Sequence, residues 1–181
     1  MQLIIIRHGK TTYNLEGKRQ GLSDTPLCDV GIQEAQELKT QVNNNVDIVM
    51  SSPLSRAKQT AELIFPTYQL IVEPLLITYD FGELDGTLFT DPFENYPSNP
   101  IERYNNKQYL IPKQGESFHQ FANRCQQFVE KIKSEYSIYT SIAAITHSTN
   151  LEVLKALFEQ KSWFTYLGQA KTFHGFLTIE I

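Results

Sequence analysis

Residues 3–11 read Leu-Ile-Ile-Ile-Arg-His-Gly-Lys-Thr, and they contain both the first element of the fold and its first chemically active side chains. The leading apolar run is short and rich in β-branched residues, which favours a buried strand over a helix. Arg7, His8 and Gly9 follow at the point where this strand ends. Ligands of open α/β sheets bind at the carboxyl ends of the strands. A cation and an imidazole at that position therefore predict an anion site.

The composition is that of a soluble globular protein, and we expect one domain over residues 1–181. Hydrophobic residues make up 41% of the chain and charged residues 20%, both ordinary values. The net charge of −4 argues against a nucleic-acid partner, and no apolar run approaches the ~20 residues of a membrane span. Cys28 and Cys125 lie far apart and fit no metal-binding spacing, so we interpret them as free thiols. With no signal-peptide pattern at the N-terminus, these features predict a cytoplasmic protein without a membrane partner.

The rest of the chain alternates between short apolar runs and segments with helical periodicity. We predict strands over 46–50, 69–77, 141–146 and 175–181, and helices over 27–43, from Ser52 and Pro53 onward, over 117–132 and over 147–158. Ser52 is a favourable N-cap and Pro53 suits the first helical position. This alternation predicts an α/β fold with a parallel sheet covered by helices.

The segment 83–114 differs from its surroundings. It contains four prolines, many asparagines and tyrosines, and little periodicity. Long irregular segments in compact domains are usually functional or disordered. We expect an ordered excursion that lies over the mouth of the site as a lid.

Polar side chains are predicted at the ends of three strands. Arg7 and His8 end the first, Arg56 lies one turn past Ser52, and His147 follows the strand over 141–146. Two arginines and two histidines at one sheet edge, beside two helix N-termini, provide the positive charge and N–H groups that suit phosphate.

The motifs resemble those of the histidine phosphatase superfamily, the phosphoglycerate-mutase-like proteins, and they occur in the family's order along nearly the whole chain. The matching segments are 7–11 with Asn14, 20–27 with Gly31, 51–61, 80–82 with Gly86, 115–117 with Arg124, and Thr146-His147. Each motif alone is weak evidence for the family. Together they are strong evidence, because they occur along the chain in the family's order.

The resemblance implies a three-layer α/β/α sandwich with a mostly parallel central sheet and a phosphoglycerate-mutase-like fold. It also implies that His8 is a nucleophile that forms a phosphohistidine, which water then hydrolyses. Arg7 and Arg56 are implied to clamp the phosphate, since the planar fork of arginine matches phosphate oxygens, and His147 to hydrogen-bond the phosphoryl group. Further substrate contacts are expected at Asn14, Gln20, Gly21, Glu116, Ser117 and Ser148, with no cofactor and no metal.

The expected general acid is absent from its usual position. Family members commonly carry a glutamate four residues before the glycine that Gly82 matches, where this chain has Thr78. A hydroxyl cannot replace a carboxylate in proton transfer near neutral pH. Three interpretations stay open: Asp80 acts instead, Glu83 or Asp85 reaches in, or a substrate with a good leaving group needs no acid.

These observations predict a cofactor-independent phosphatase, a phosphoric monoester hydrolase, that acts on a small phosphorylated substrate. One alternative is phosphoryl transfer of the phosphoglycerate mutase type. Another alternative is a phospho-ligand binding or regulatory module with weak activity. It stays open because of Thr78 and the non-glycine residues after His147.

Overall fold

A computed structural model describes residues 1–90, 112–169 and 175–181. Its five strands are β1 (Gln2–Arg7), β2 (Ile48–Ser51), β3 (Leu70–Val72), β4 (Ser141–Thr146) and β5 (Phe176–Glu180). They form one sheet in the order β3-β2-β4-β1-β5. The first four strands pair in parallel, and β5 pairs antiparallel with β1 at an edge. The sheet is therefore mostly parallel, as predicted.

In the described residues, five α-helices accompany the sheet. They are α1 (Thr12–Leu15), α2 (Asp29–Gln41), α3 (Ser55–Ile64), α4 (Phe118–Glu135) and α5 (Ser148–Phe158). One apolar cluster joins the sheet to α4 and α5. A second joins the sheet to α3 and to the C-terminal end of α2. The sheet thus lies between two helical layers, which confirms the predicted three-layer α/β/α architecture.

Strand β1 contributes side chains to both apolar clusters. Leu3 and Ile5 belong to the cluster on the α4 and α5 side, whereas Ile4 and Ile6 belong to the other. Successive side chains of a strand point to opposite faces, so a strand covered on both faces must be apolar at every position. This explains why the run shows no alternation of apolar and polar residues.

The helix after β2 begins later than predicted. The prediction of a start at Ser52 and Pro53 is wrong, because α3 begins at Ser55 with Leu54 as N-cap residue. Asp24 provides the cap from a distant loop, since its carboxylate accepts the Ser55 N–H at 2.7 Å. The Ser52 hydroxyl contacts His147 instead.

The predicted strand over 69–77 is much shorter in the structure. Only Leu70–Val72 pairs with the sheet, and a 3-10 helix follows over Pro74–Leu76. Pro74 has no N–H to donate to a strand ladder, and Glu73 caps the turn by accepting the Leu75 N–H at 3.0 Å. The segment therefore leaves the sheet early, and its Leu76 carbonyl accepts the Thr146 hydroxyl at 2.8 Å.

Most of the predicted excursion over 83–114, namely residues 91–111, lies outside the described residues, so the lid stays a prediction. The flanking residues are in contact, because Glu83 N–H donates to the Lys113 carbonyl at 2.9 Å. None of the helices in the described ranges is long and apolar enough to cross a bilayer.

Candidate active site

The ends of three parallel strands meet at one edge of the sheet. Arg7 and Thr146 are register partners in β1 and β4. The hydrogen bonds continue beyond the strands, since His8 N–H donates to the Thr146 carbonyl at 2.9 Å and Ser52 N–H to the Ile145 carbonyl at 2.9 Å. The backbone thus brings together the predicted site residues at the carboxyl ends of β1, β2 and β4.

His8 and His147 are in direct contact. Their ring centroids lie 5.0 Å apart in an edge-on arrangement, and both rings are almost completely buried. The His8 Nδ1 atom lies 2.7 Å from the Gly9 carbonyl oxygen. A carbonyl only accepts, so Nδ1 carries the proton and the Nε2 atom of the neutral ring keeps its lone pair. That is the protonation state a nitrogen nucleophile needs.

Burial lowers the pKa of His8 well below its ordinary value, and the positive charges of Arg56 and Arg7 lower it further. The pKa of His147 is also lowered, first by burial, then by the adjacent His8 imidazole and by the positive charge of Arg56. Both rings are therefore neutral at pH 7. A neutral His8 can attack phosphorus without first losing a proton.

Arg56 is held in place by the loop between α1 and α2. Its side chain is completely buried, and its two terminal nitrogens donate to the carbonyls of Ser23 at 2.9 Å and Gly21 at 2.8 Å. Burial lowers the pKa of Arg56 to about 10, which leaves the guanidinium charged at pH 7. Burial also lowers the pKa of Arg7. Each arginine thus brings a desolvated positive charge close to His8.

Unsatisfied polar atoms cluster in this site. In the described part of the chain, four buried side-chain polar atoms lack a hydrogen-bond partner: Arg7 Nε, Arg56 Nε, His147 Nδ1 and Asn150 Oδ1. Three of the four are nitrogens on the residues around His8. Since buried polar groups in folded proteins are normally paired, these nitrogens indicate a site built to receive hydrogen-bond acceptors.

The loop residues predicted to bind substrate form a network of their own. Asn14 Oδ1 accepts the Thr11 N–H at 3.1 Å, and Gln20 Oε1 accepts the Thr11 hydroxyl at 2.7 Å. Gln20 Nε2 donates to the Thr25 hydroxyl. The side-chain oxygens of Asn14 and Gln20 thus accept hydrogen bonds within the loop. The amide nitrogen of Asn14 is the group that can donate to an anion. Substrate contact by either residue stays a prediction.

Glu116 and Ser117 make structural contacts at the start of α4. Glu116 Oε1 accepts the Asp80 N–H at 2.9 Å and pairs with Arg124 at 2.7 Å. Burial raises the pKa of Glu116. Ser117 is the N-cap residue of α4 and forms the predicted capping box with Gln120. These contacts favour a supporting role for both residues, and their contact with substrate stays a prediction.

The candidate general acids differ in their surroundings. Both carboxylate oxygens of Asp85 accept backbone N–H groups, from Gly21 at 2.8 Å and Ser23 at 2.7 Å. Glu83 is exposed and pairs with Lys113 at 3.1 Å. Asp80 is half-buried, and its Oδ1 accepts the Gly82 N–H at 2.9 Å. These contacts occupy both oxygens of Asp85 but only one oxygen each of Glu83 and Asp80. Asp80 differs from Glu83 in being half-buried, and its role as acid stays a prediction.

Three supporting roles were not predicted from the sequence, where Ser52 was expected to cap a helix and Asp85 was one of the candidate acids. Ser52 contacts His147 Nε2 at 2.9 Å. The Thr60 hydroxyl accepts the Gly9 N–H at 3.1 Å and donates to the Arg56 carbonyl at 2.7 Å. Asp85 fixes the loop whose carbonyls hold Arg56. All three act through hydrogen bonds between distant segments, which sequence spacing does not encode.

Ser148, which was predicted, begins α5 directly after His147 and is half-buried.

A metal ion has no evident site in the described ranges, where no group of three or more His, Cys, Asp or Glu side chains is arranged to hold one. Arg56 and Arg7 place positive charge beside His8.

Comparisons with curated proteins give two informative relatives. The adenosylcobalamin/alpha-ribazole phosphatase of Escherichia coli K12 is 35% identical over 159 residues, which cover 86% of this chain and 78% of that protein. The putative phosphoserine phosphatase 2 of Hydrogenobacter thermophilus is 32% identical over 166 residues, covering 86% and 77%. Both names are those of phosphatases, in agreement with the predicted class of enzyme.

Comparisons with solved structures also find a phosphatase and a related enzyme. The alpha-ribazole phosphatase of Shigella flexneri superimposes with a TM-score of 0.84 at 30% identity, covering 100% of this chain and 91% of that one. The phosphoglycerate mutase of Thermus thermophilus gives a TM-score of 0.71 at 32% identity, covering 87% and 84%. The predicted phosphoglycerate-mutase-like fold is thus confirmed. Residues 3–167 match the family described as the histidine phosphatase superfamily, branch 1, and the chain belongs to this superfamily.

Proposed function

We propose that this protein is a phosphatase that hydrolyses a small phosphate monoester through a phosphohistidine on Nε2 of His8. The observation that carries the proposal is the set of unpaired nitrogens on Arg7, Arg56 and His147 around a buried imidazole with a free lone pair. A phosphoryl group offers oxygen acceptors to such nitrogens and phosphorus to the lone pair. Positioning and charge neutralisation are the main needs of phosphoryl transfer.

The first step transfers the phosphoryl group to the enzyme. The Nε2 lone pair of His8 forms a bond to phosphorus while the bond to the ester oxygen breaks, and that oxygen leaves with the electron pair. The nearby cations Arg7 and Arg56 neutralise the other phosphoryl oxygens. In the second step a water oxygen attacks phosphorus, the N–P bond breaks and Nε2 regains its lone pair. The water loses its proton, and the products are the alcohol and inorganic phosphate.

Asp80 is the general acid that we propose for the first step. Its Oδ1 is fixed by the Gly82 N–H, so Oδ2 can present a proton to the leaving oxygen. Both oxygens of Asp85 accept backbone N–H groups, and Glu83 is exposed with its Oε1 paired to Lys113. In the second step the same carboxylate would accept the proton of the attacking water.

The substrate class that we propose is a monoester of a small alcohol. Support comes from the two phosphatase relatives, whose names refer to alpha-ribazole and to phosphoserine. A cytoplasmic location is proposed with it, because Cys28 and Cys125 are free thiols and reducing compartments keep thiols unpaired.

The test is phosphate release from p-nitrophenyl phosphate by the native protein and by His8→Ala. We expect turnover that survives EDTA, an acid-labile phosphoenzyme after brief mixing with labelled substrate, and the loss of both in His8→Ala. His119→Ala is the matched control, because His119 is exposed on α4 and contacts Asn123. Turnover of no phosphate ester would overturn the proposal in favour of a binding module. Formation of an isomeric phosphate ester without phosphate release would favour a mutase.

A further inference from the structure

The peptide group between Gly9 and Lys10 has a partner at each end. At its carbonyl end, the Gly9 oxygen accepts the His8 Nδ1–H at 2.7 Å. At its amide end, the Lys10 N–H donates to Glu34 Oε2 at 3.0 Å. A single peptide group therefore stands between the imidazole of the proposed nucleophile and a carboxylate.

Helix α2 holds this peptide in position. Gly31 lies so close that an added Cβ would stand 2.6 Å from the Lys10 nitrogen of this peptide. The carbonyl oxygen of Lys10, in the next peptide, accepts the Cys28 N–H at 3.0 Å. Glu34 follows Gly31 by three residues on the same helix, which brings it to the same face. Its second oxygen pairs with Lys10 Nζ at 2.5 Å. The carboxylate is thus fixed against the amide end by two contacts.

We propose that Glu34 is a positioning residue for His8, acting through the Gly9–Lys10 peptide to keep the proton on Nδ1 and the lone pair on Nε2. The negative charge at the amide end polarises the peptide and makes the Gly9 oxygen a stronger acceptor, because hydrogen bonds in series strengthen one another. During attack on phosphorus the ring becomes positive and its Nδ1–H becomes a stronger donor. The peptide and Glu34 therefore stabilise the transition state more than the resting ring.

The inference rests on the proposed role of His8 but adds a residue that does not touch the substrate. A carboxylate that only fastened the loop would need its hydrogen bond from the Lys10 N–H and its ion pair with Lys10 Nζ. Glu34→Gln keeps an oxygen for the Lys10 N–H but removes the charge, whereas Lys10→Gln removes the ion pair and leaves the Glu34 charge beside the peptide, so a purely structural role predicts the same loss of kcat in both variants. Glu34→Ala removes both the oxygen and the charge. Glu37→Gln is the matched control, since Glu37 is exposed on the same helix.

Two readouts test the proposal. The first is the ¹⁵N spectrum of the His8 ring without substrate, identified by its loss in His8→Ala, which distinguishes the two neutral tautomers. The second is kcat and KM for p-nitrophenyl phosphate, with thermal unfolding to compare folded fractions. We expect Glu34→Gln to lower kcat about three- to tenfold, the equivalent of one weakened hydrogen bond, with little change in KM. Glu34→Ala should lower kcat further and raise the minor population of the Nε2-protonated tautomer, because the Gly9 carbonyl remains but as a weaker acceptor, and Glu37→Gln should match the native protein.

Native kcat in Glu34→Gln together with a loss in Glu34→Ala would show that the charge plays no part, and would overturn the proposal. So would a native His8 spectrum and kcat in Glu34→Ala. A protein that turns over no ester, yet shifts its His8 tautomer in Glu34→Ala, would retain the positioning role and refute only the proposed function. If Glu34→Ala does not fold, the kcat of the near-isosteric Glu34→Gln still tests the proposal.

Discussion

His147 Nε2 lies 2.9 Å from the Ser52 hydroxyl oxygen, and this contact joins the end of β4 to the end of β2 inside the site. Both residues are buried, so the contact is shielded from the surface of the protein. When the hydroxyl donates to Nε2, the proton of the neutral ring lies on Nδ1, which is the unpaired nitrogen. Ser52 thereby orients the ring so that Nδ1 can donate to a phosphoryl oxygen.

Removing the Ser52 hydroxyl should weaken both folding and catalysis. We expect Ser52→Ala to reduce the free energy of unfolding by about 1–3 kcal/mol, the usual result of leaving a buried polar group unpaired. We also expect kcat to fall about tenfold, because the donor on His147 loses its orientation. Urea unfolding and steady-state kinetics measure the two effects. Ser134→Ala, on the exposed side of α4, is the control, and equal values for the two variants would contradict the assigned role.

Stability should depend on pH through the two buried histidines. Their pKa values are lowered in the folded state, so below pH 6.5 the unfolded chain binds more protons than the folded one. Stability is then fully present above about pH 6.5 and is lost as pH falls towards the lowered values. Urea midpoints in phosphate-free buffer between about pH 5 and 8 measure this slope. We expect His147→Asn to flatten it, and a flat native profile over that range would refute the prediction.

Arginine at position 56 should not be replaceable by lysine. Two nitrogens of Arg56 are bound to the carbonyls of Ser23 and Gly21, so the fork is oriented before substrate arrives. Lysine keeps the charge but not this geometry. We expect Arg56→Lys to weaken inhibition by inorganic phosphate and to lower kcat/KM by about 10–100-fold, the range for hydrogen bonds to charged groups. Lys58→Arg on the same helix is the control, and inhibition unchanged in Arg56→Lys would contradict the clamp.

The sequence and the structure agree where local pattern decides the outcome. The unbroken apolar run of β1 and the capping box of Ser117 and Gln120 are properties of short segments, and both are found as predicted. The start of α3 is wrong in the prediction because its cap is Asp24, a residue 31 positions away. The support for Arg56 was missed for the same reason, since Asp85 fixes its loop across 62 and 64 positions. Motifs order the site residues along the chain, whereas the tertiary contacts that orient them follow only from the fold.

The last prediction concerns the proton donor. Thr78 stands where the family commonly has a glutamate, and the Asp80 carboxylate is held two residues further on by the Gly82 N–H. Asp80→Asn keeps an oxygen for that N–H but removes the transferable proton. We expect kcat for an alkyl phosphate to fall about 100-fold or more, the ordinary contribution of general acid catalysis. The fall for p-nitrophenyl phosphate should be far smaller, because nitrophenolate leaves without a proton.

The ratio of the two rates is the measurement, since misfolding or a weakened phosphate site lowers both equally. Glu83→Gln is the matched control, because it removes an exposed carboxylate that is close to Asp80 in sequence and pairs with Lys113. A ratio that is the same in Asp80→Asn, Glu83→Gln and the native protein would exclude Asp80 as the acid. The native enzyme would then be expected to favour substrates whose leaving groups are already weak bases, because no carboxylate would protonate the departing oxygen.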